Sequence, residues 1–253
     1  MTIQKGDFIK LSYTGKLQDN RVFDTTDENI AKEHNIYNKN TIYGPVVIIV
    51  GAGHVLPGLD EDLVGKPVGY QGTVTFGPEK GVGPKKLELI ETIPVKKLGI
   101  KPHIGQRVTI GNKTGVVENI VGGRARVNFN HPLAGETLTY EYKIEERLVS
   151  AEEKIKGLIQ AYTGLKLEVK VEGENATIIV PSQQALNSRL LFSKMQIANE
   201  ILNRIDLKSV SFLETYKKPA KEEPAKEEVK PKEEVKPKEE VKQEVKEEKV
   251  QPP

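Results

Sequence analysis

Cysteine is absent from the 253 residues, and so is tryptophan. The lack of cysteine excludes disulfides and thiolate chemistry and fits a reducing compartment. Only four histidines occur; they are scattered, without the spacing of a metal site, so no metal and no cofactor is expected. A charge of one sign is missing too. Against 38 Lys and Arg stand 36 Asp and Glu, a net +2, whereas a nucleic-acid binder ordinarily carries a strongly basic domain. The longest apolar run falls far short of the roughly 18 residues that cross a bilayer, so no membrane span is expected. The start of the chain has no basic-then-apolar leader pattern, and a cytoplasmic location is the expectation. The phosphate loop GxxxxGKS or GxxxxGKT is also missing, which leaves Gly51 and Gly53 a poor nucleotide signal.

What is there centres on residues 46–69, VVIIVGAGHVLPGLDEDLVGKPVG. Residues 46–50 are an unbroken apolar run of strand length. Gly51 and Gly53 allow a tight turn. Val55, Leu56, Leu59 and Leu63 then share one face of a short helix. Asp60, Glu61 and Asp62 are expected on its other face, favoured by the helix dipole.

Upstream, residues 7–17 (DFIKLSYTGKL) alternate as a half-buried strand, and Val22 and Phe23 resume it after an Asp-Asn turn. Residues 25–44 are polar and read as a long loop or bulge with local helical character at most. Residues 70–76 form another strand, and residues 77–86 a Gly/Pro-rich loop. Residues 87–94 are extended. Three short β runs follow at 107–110, 115–121 and 124–130, joined by Gly111-Asn112 and Gly122-Gly123 hairpin signals. Asn130 to Gly135 (NHPLAG) returns the chain to an alternating strand at 138–148. Asn112-Lys113-Thr114 and Asn175-Ala176-Thr177 match the glycosylation pattern but read as ordinary turns, and His131 reads as a loop residue.

The ordered set Tyr13-Thr14-Gly15, then Val22-Phe23-Asp24, then VGxGxVLPGL across residues 50–59 resembles the FKBP-type peptidyl-prolyl cis/trans isomerases. Residues 87–132, placed before NHPLAG, resemble the insert-in-flap chaperone domain of the SlyD-like and archaeal long forms. The bulge at 25–43 matches the archaeal form. The implied fold class is α+β: an antiparallel half-barrel sheet (1–86 and 133–150) wrapped on a short helix, with a small β-rich insert (87–132).

By matching position, the resemblance implies a catalytic set of Tyr13, Phe23, Asp24, Leu56 and Tyr140. Val46, Val55, Leu59 and Val82 would bind substrate. Leu59 would be the floor, the Leu56 N–H a donor to a substrate carbonyl, and Tyr13 and Asp24 the polar wall. Asp24 is expected to be a buried carboxylate. Leu59 stands where single-domain forms have Trp, and Val46 where they have Phe. Val82 stands where many have a Tyr, removing a hydrogen bond and predicting weaker activity on small peptides. Rotating a prolyl bond needs no nucleophile; its barrier of about 18–20 kcal/mol comes from amide resonance, and an apolar pocket favours the twisted form. Implied ligands are unfolded or proline-containing polypeptides and FK506-like macrolides. The alternative is a binding chaperone or scaffold with a vestigial isomerase site. Val108, Ile110, Val117 and Ile120 are the expected chaperone surface of the insert, whose own small core is read as Val108, Ile110, Val116, Val117, Ile120, Val121, Val127 and Phe129.

Residues 151–217 read as a third unit of order α-β-β-α-β. Ile155, Leu158, Ile159 and Tyr162 make a helical stripe ending at Gly164. A strand hairpin follows, then a helix over 183–205 with Leu186, Leu190, Ile197, Ile201 and Ile205 inward, then a last strand. No catalytic motif is found there. From residue 218 a Lys/Glu/Pro repeat reads as a disordered, solubilising tail; the last 37 residues hold eleven Lys and eleven Glu.

Overall fold

The computed structural model describes residues 2–216, a mixed α+β arrangement of three sheets and a few helices. The charged tail expected over 218–253 lies outside the described residues.

The first sheet is antiparallel and is organised by one long strand, β1 (Phe8–Leu17). One edge of β1 is shared end to end by two short strands. β3 (Val46–Ile49) pairs with its first half and β2 (Val22–Thr25) with its second. Its other edge carries β9 (Leu138–Leu148), which in turn pairs with β4 (Gln71–Phe76). Helix α2 (Pro57–Leu63) buries Leu59 and Leu63 completely against this sheet. Ile9, Leu11, Ile48, Val50, Leu138, Tyr140 and Ile144 complete that core. The bulge does contain one helix, α1 (Glu28–Glu33). The Asp27 carboxylate caps it by accepting from the Asn29 and Ile30 N–H groups.

The opposite face of β3 is buried as well. Val47 and Ile49, with Phe8 and Leu148, join a second core made otherwise of C-terminal residues. This explains why residues 46–50 show no polar alternation: both faces of the strand are covered. The covering element is α3 (Ala151–Thr163). Its Ser150 cap and Glu153 form a reciprocal capping box, and it ends at Gly164 with φ 78°. Gly157 lets α3 come close, since a Cβ there would stand 2.7 Å from Val47 Cγ2. Behind α3 lie β10 (Glu168–Glu172), β11 (Asn175–Pro181), α4 (Ser188–Arg204) and β12 (Ser209–Thr215). β12 runs parallel to β11 with α4 as the crossover.

The third sheet has the order β5-β8-β7-β6, formed by β5 (Ile90–Pro94), β6 (Arg107–Ile110), β7 (Lys113–Val121) and β8 (Arg124–Asn128). Val108, Val117, Ala125 and Val127 are its small core. Its two joints to the first sheet are tied together. Asn130 accepts from the Lys86 N–H at 2.9 Å and donates its amide to the Lys86 carbonyl at 2.9 Å.

Four expectations are corrected. Val108 and Val117 are buried, so they hold the third sheet together and cannot be its binding surface, whereas Ile110 and Ile120 are half-buried. Val121, expected inside, is 69% exposed. Leu186 is 85% exposed, because α4 starts after it with Asn187 as cap. Asp60 is buried rather than on a solvent face, for the reason given below.

Candidate active site

The β1–β2 pairing places Gly15 opposite Asp24, and the β1–β9 pairing places Gly15 opposite Tyr140. A Cβ at Gly15 would stand 2.6 Å from Phe23 Cζ, so the missing side chain is the seat of the Phe23 ring. Phe23 thereby meets Tyr140 edge-on, with centroids 5.7 Å apart. Tyr13 packs on the same ring at 5.5 Å. Phe76 stacks on it at 5.9 Å, nearly parallel. Three aromatic rings therefore surround Tyr140, each in the offset or edge geometry that aromatic pairs favour.

Hydroxyl groups fix the register of this wall. The Tyr13 N–H donates to Thr26 Oγ1 at 2.9 Å, and the Tyr13 carbonyl accepts from the Thr26 N–H at 2.9 Å. Thr14 and Thr25 pair through their hydroxyls at 2.8 Å. Tyr13 then donates its phenol hydroxyl to the Asp24 carboxylate at 3.0 Å. Asp24 is not the buried carboxylate expected. It is exposed on the short strand β2, tied to the aromatic cluster through its hydrogen bond with Tyr13. That apolar neighbourhood still desolvates the carboxylate and pushes its pKa up. The Tyr13 hydroxyl and the Thr25 backbone N–H oppose the shift. Burial and then the Asp24 charge push the Tyr13 phenol up, so it stays a hydrogen-bond donor at any ordinary pH. Burial does the same for Tyr140, again reinforced by Asp24.

The second half of the site is the Gly51–Leu56 loop and the start of α2. The buried Asp60 carboxylate reaches back from α2 and accepts from the Gly51 N–H at 2.8 Å and the Gly53 N–H at 3.4 Å. Gly51 and Gly53 have φ of 79° and 75°, the left-handed region that glycine enters without strain. The Asp60 carboxylate thus sets the loop that delivers Val55 and Leu56. Leu56 is the N-cap, with Pro57 at the first helical position. Its carbonyl accepts from the Leu59 and Asp60 N–H groups at 3.0 Å, while its own N–H has no protein acceptor among the described residues. On the far side of α2, Tyr142 donates to the Asp62 carboxylate and anchors the helix to β9.

Leu59 and Tyr140 are buried at the base of one apolar cluster. Tyr13, Phe23, Val46, Val55, Leu56 and Val82 are its half-buried margin. Eight of the nine positions expected from the resemblance therefore gather around one apolar centre, and the ninth, Asp24, lies at its edge. The expectation missed three contributors. Phe76 backs Tyr140, and Gly58 admits the Phe76 ring, since a Cβ there would be 2.2 Å from Phe76 Cγ. Leu133, from NHPLAG, packs on the margin of the same cluster. His131 keeps the loop role, accepting from the Leu133 N–H at 3.1 Å.

Chemically, the arrangement offers aromatic and aliphatic walls, one phenol–carboxylate pair and one backbone donor. No helix among the described residues is long and apolar enough to cross a membrane.

Comparison with known proteins points to one family. Residues 89–133 match the family described as FKBP26, IF domain, and residues 151–217 match FKBP26 C-terminal. The chain is 33% identical over 147 residues to the short-type peptidyl-prolyl cis-trans isomerase of Methanocaldococcus jannaschii, covering 57% of this chain and 93% of that protein. It is 28% identical over 127 residues to the FKBP-type peptidyl-prolyl cis-trans isomerase SlyD of Helicobacter pylori, covering 48% and 63%. To SlyD of Vibrio cholerae it is 25% identical over 161 residues, covering 61% and 73%. The chain belongs to the FKBP-type peptidyl-prolyl cis/trans isomerases and carries the SlyD-like insert.

Proposed function

We propose that this chain catalyses cis/trans isomerisation of X-Pro bonds at the cluster around Tyr140, and that its insert holds unfolded clients near that site. The observation that carries the first part is the ring of Tyr13, Phe23 and Phe76 about Tyr140, edged by Asp24 and the Leu56 N–H. The planar prolyl amide has its full dipole, and the twisted transition state has lost resonance and much of that dipole. A wall of aromatic and aliphatic groups disfavours the planar form more, which is differential transition-state binding. The Leu56 N–H donates to a substrate carbonyl, and Leu59, Val46, Val55 and Val82 enclose the proline ring. Tyr13 and Asp24 form the polar rim. FK506-like macrolides, which present a comparable apolar ring and carbonyls, are a second ligand class for the same pocket. The setting is cytoplasmic.

In this reading residues 1–86 and 133–150 are the catalytic part, 87–132 the client-holding part and 151–217 a C-terminal domain. Among the described residues the insert leaves Ile100, Ile104 and Val121 exposed and Ile110 and Ile120 half-buried, and its outer strands β5 and β6 pair on one side only. Free edges and apolar side chains suit extended peptides by strand addition. This feature supports a chaperone role, and Val82, lacking a hydroxyl, makes that role weigh more than turnover of short peptides.

The test is isomerase turnover on a prolyl tetrapeptide. Phe23→Ala and Asp24→Ala should each lower kcat/KM at least tenfold with the fold retained by circular dichroism. Folded variants with undiminished activity would move the site elsewhere.

A further inference from the structure

His54 is the residue immediately before Val55 and Leu56, and it has no part in the mechanism above. Two elements touch its ring and two more set charges near it. From β3, the Ile49 N–H points off the sheet edge and donates to His54 Nδ1 at 3.3 Å. A backbone N–H can only donate, so Nδ1 must be bare and the proton must sit on Nε2. Nε2 is shut off from solvent and has no partner among the described residues. From α3, Tyr162 meets the ring edge-on with centroids 6.1 Å apart. From α4 the nearby charges are Glu200 and Arg204, which pair with each other at 2.7 Å. From α2 the nearby charge is Asp60, already engaged by Gly51 and Gly53.

We propose that His54 is a positioning residue. In its neutral form it fastens the segment bearing Val55 and Leu56 to β3 and the C-terminal helices, and protonation releases that segment and lowers isomerase activity. The imidazolium carries N–H groups on both nitrogens, so Nδ1–H would confront the Ile49 N–H, donor against donor. The charge would also lie in a site where Glu200 and Arg204 largely cancel. The ring then swings out, the bond to Ile49 is lost, and the two residues that follow lose this fastening. Burial is the main influence on its titration and favours the neutral imidazole, holding the pKa below the ordinary 6.5. The neutral form is favoured by folding, so the stability it brings is complete above pH 6.5. That stability is lost as pH falls through the lowered folded value.

This inference rests on the reading of Val55 and Leu56 as substrate contacts, and the experiment separates the two. Isomerisation of an uncharged prolyl tetrapeptide by the full chain is followed by NMR exchange from pH 5 to 8, without a coupling protease. Wild-type kcat/KM should fall about tenfold per pH unit below the His54 pKa. His54→Gln, whose amide oxygen still accepts from Ile49 but does not titrate, should give a flat profile over the same range. Superimposable profiles would overturn the proposal. Should the variant fail to fold, the wild-type spectra decide instead. The Leu56 amide peak should shift with the same midpoint as the His54 ring protons, and an indifferent Leu56 would refute the coupling. Titration with the tetrapeptide at pH 8 tests the other half. If it moves amides far from Val55 and Leu56, the pocket assignment fails while the His54–Leu56 coupling still stands.

Discussion

Gly58→Ala is the sharpest test of how the helix α2 shapes the site. A Cβ at this position would stand 2.2 Å from Phe76 Cγ and 2.3 Å from Cδ1. Carbon atoms in contact settle at about 3.5–4.0 Å, so the ring must retreat by more than about 1 Å. Phe76 cannot yield cheaply, being 7% exposed and stacked on Tyr140. Overpacking of this kind costs about 1–3 kcal/mol. Against it stands the helix preference for Ala over Gly, worth about 1 kcal/mol at most. Overpacking wins, and the expected net loss is about 1 kcal/mol, read as a lower urea midpoint at unchanged slope. The effect on catalysis should be larger than the effect on stability. Displacing Phe76 displaces Tyr140, and misplacement by about 1 Å at a reacting site can cost up to about a hundredfold. A tetrapeptide isomerase assay should therefore show at least a tenfold fall. The double variant Gly58→Ala with Phe76→Leu should recover part of the lost stability, because the smaller side chain makes room. A Gly58→Ala protein that is more stable and fully active would refute the reasoning, since helix propensity alone would then have decided the outcome.

Two further predictions follow. Replacing residues 87–132 by a short flap loop should leave tetrapeptide isomerisation intact and sharply slow proline-limited refolding of a whole protein, chiefly through weaker client binding. Equal refolding rates would remove the chaperone role from the insert. Ending the chain at residue 150 uncovers Phe8, Val47, Ile49 and Leu148. At about 1.5–3 kcal/mol per buried side chain the melting temperature should fall steeply. An undiminished melting temperature would mean that the shared core contributes little.

Much of the site was legible because its chemistry lies in short contiguous motifs. Tyr13 and Gly15 belong to one strand, Phe23 and Asp24 to the next, and Val55 to Leu59 to one loop and helix. What was not legible depends on contacts between motifs. Phe76 is an ordinary strand residue until β4 lies beside β9 and its ring stacks on Tyr140. Asp60 sits in an acidic triplet that helix periodicity assigns to solvent. Only the fold shows the glycine loop bringing two N–H groups to its carboxylate. For Asp24 the converse holds: residue type signals a polar role but not depth, and the side chain is exposed. In the third sheet, the residues alone place Val108 and Val117 both in the small core and on the binding surface, since a small module leaves some apolar side chains outside. Which ones stay outside is decided by strand pairing, which buries those two and exposes Val121.

The run VVIIV shows the same limit in its most consequential form. Five apolar residues without alternation say that both faces of a strand are covered, but not by what. Here Ile48 and Val50 face the core shared with α2, while Val47 and Ile49 face α3 and the C-terminal sheet. Val46, at the head of the strand, borders the apolar cluster that contains Tyr140. One four-residue strand therefore touches the proposed pocket and the C-terminal segment at once. Its edge N–H at Ile49 is taken by His54, which begins the Val55–Leu56 segment. If the His54 proposal holds, a disturbance in the packing of α3 on Val47 should reach the proposed pocket through this strand and one histidine. The C-terminal residues, although they carry no catalytic motif, are structurally part of the site's support.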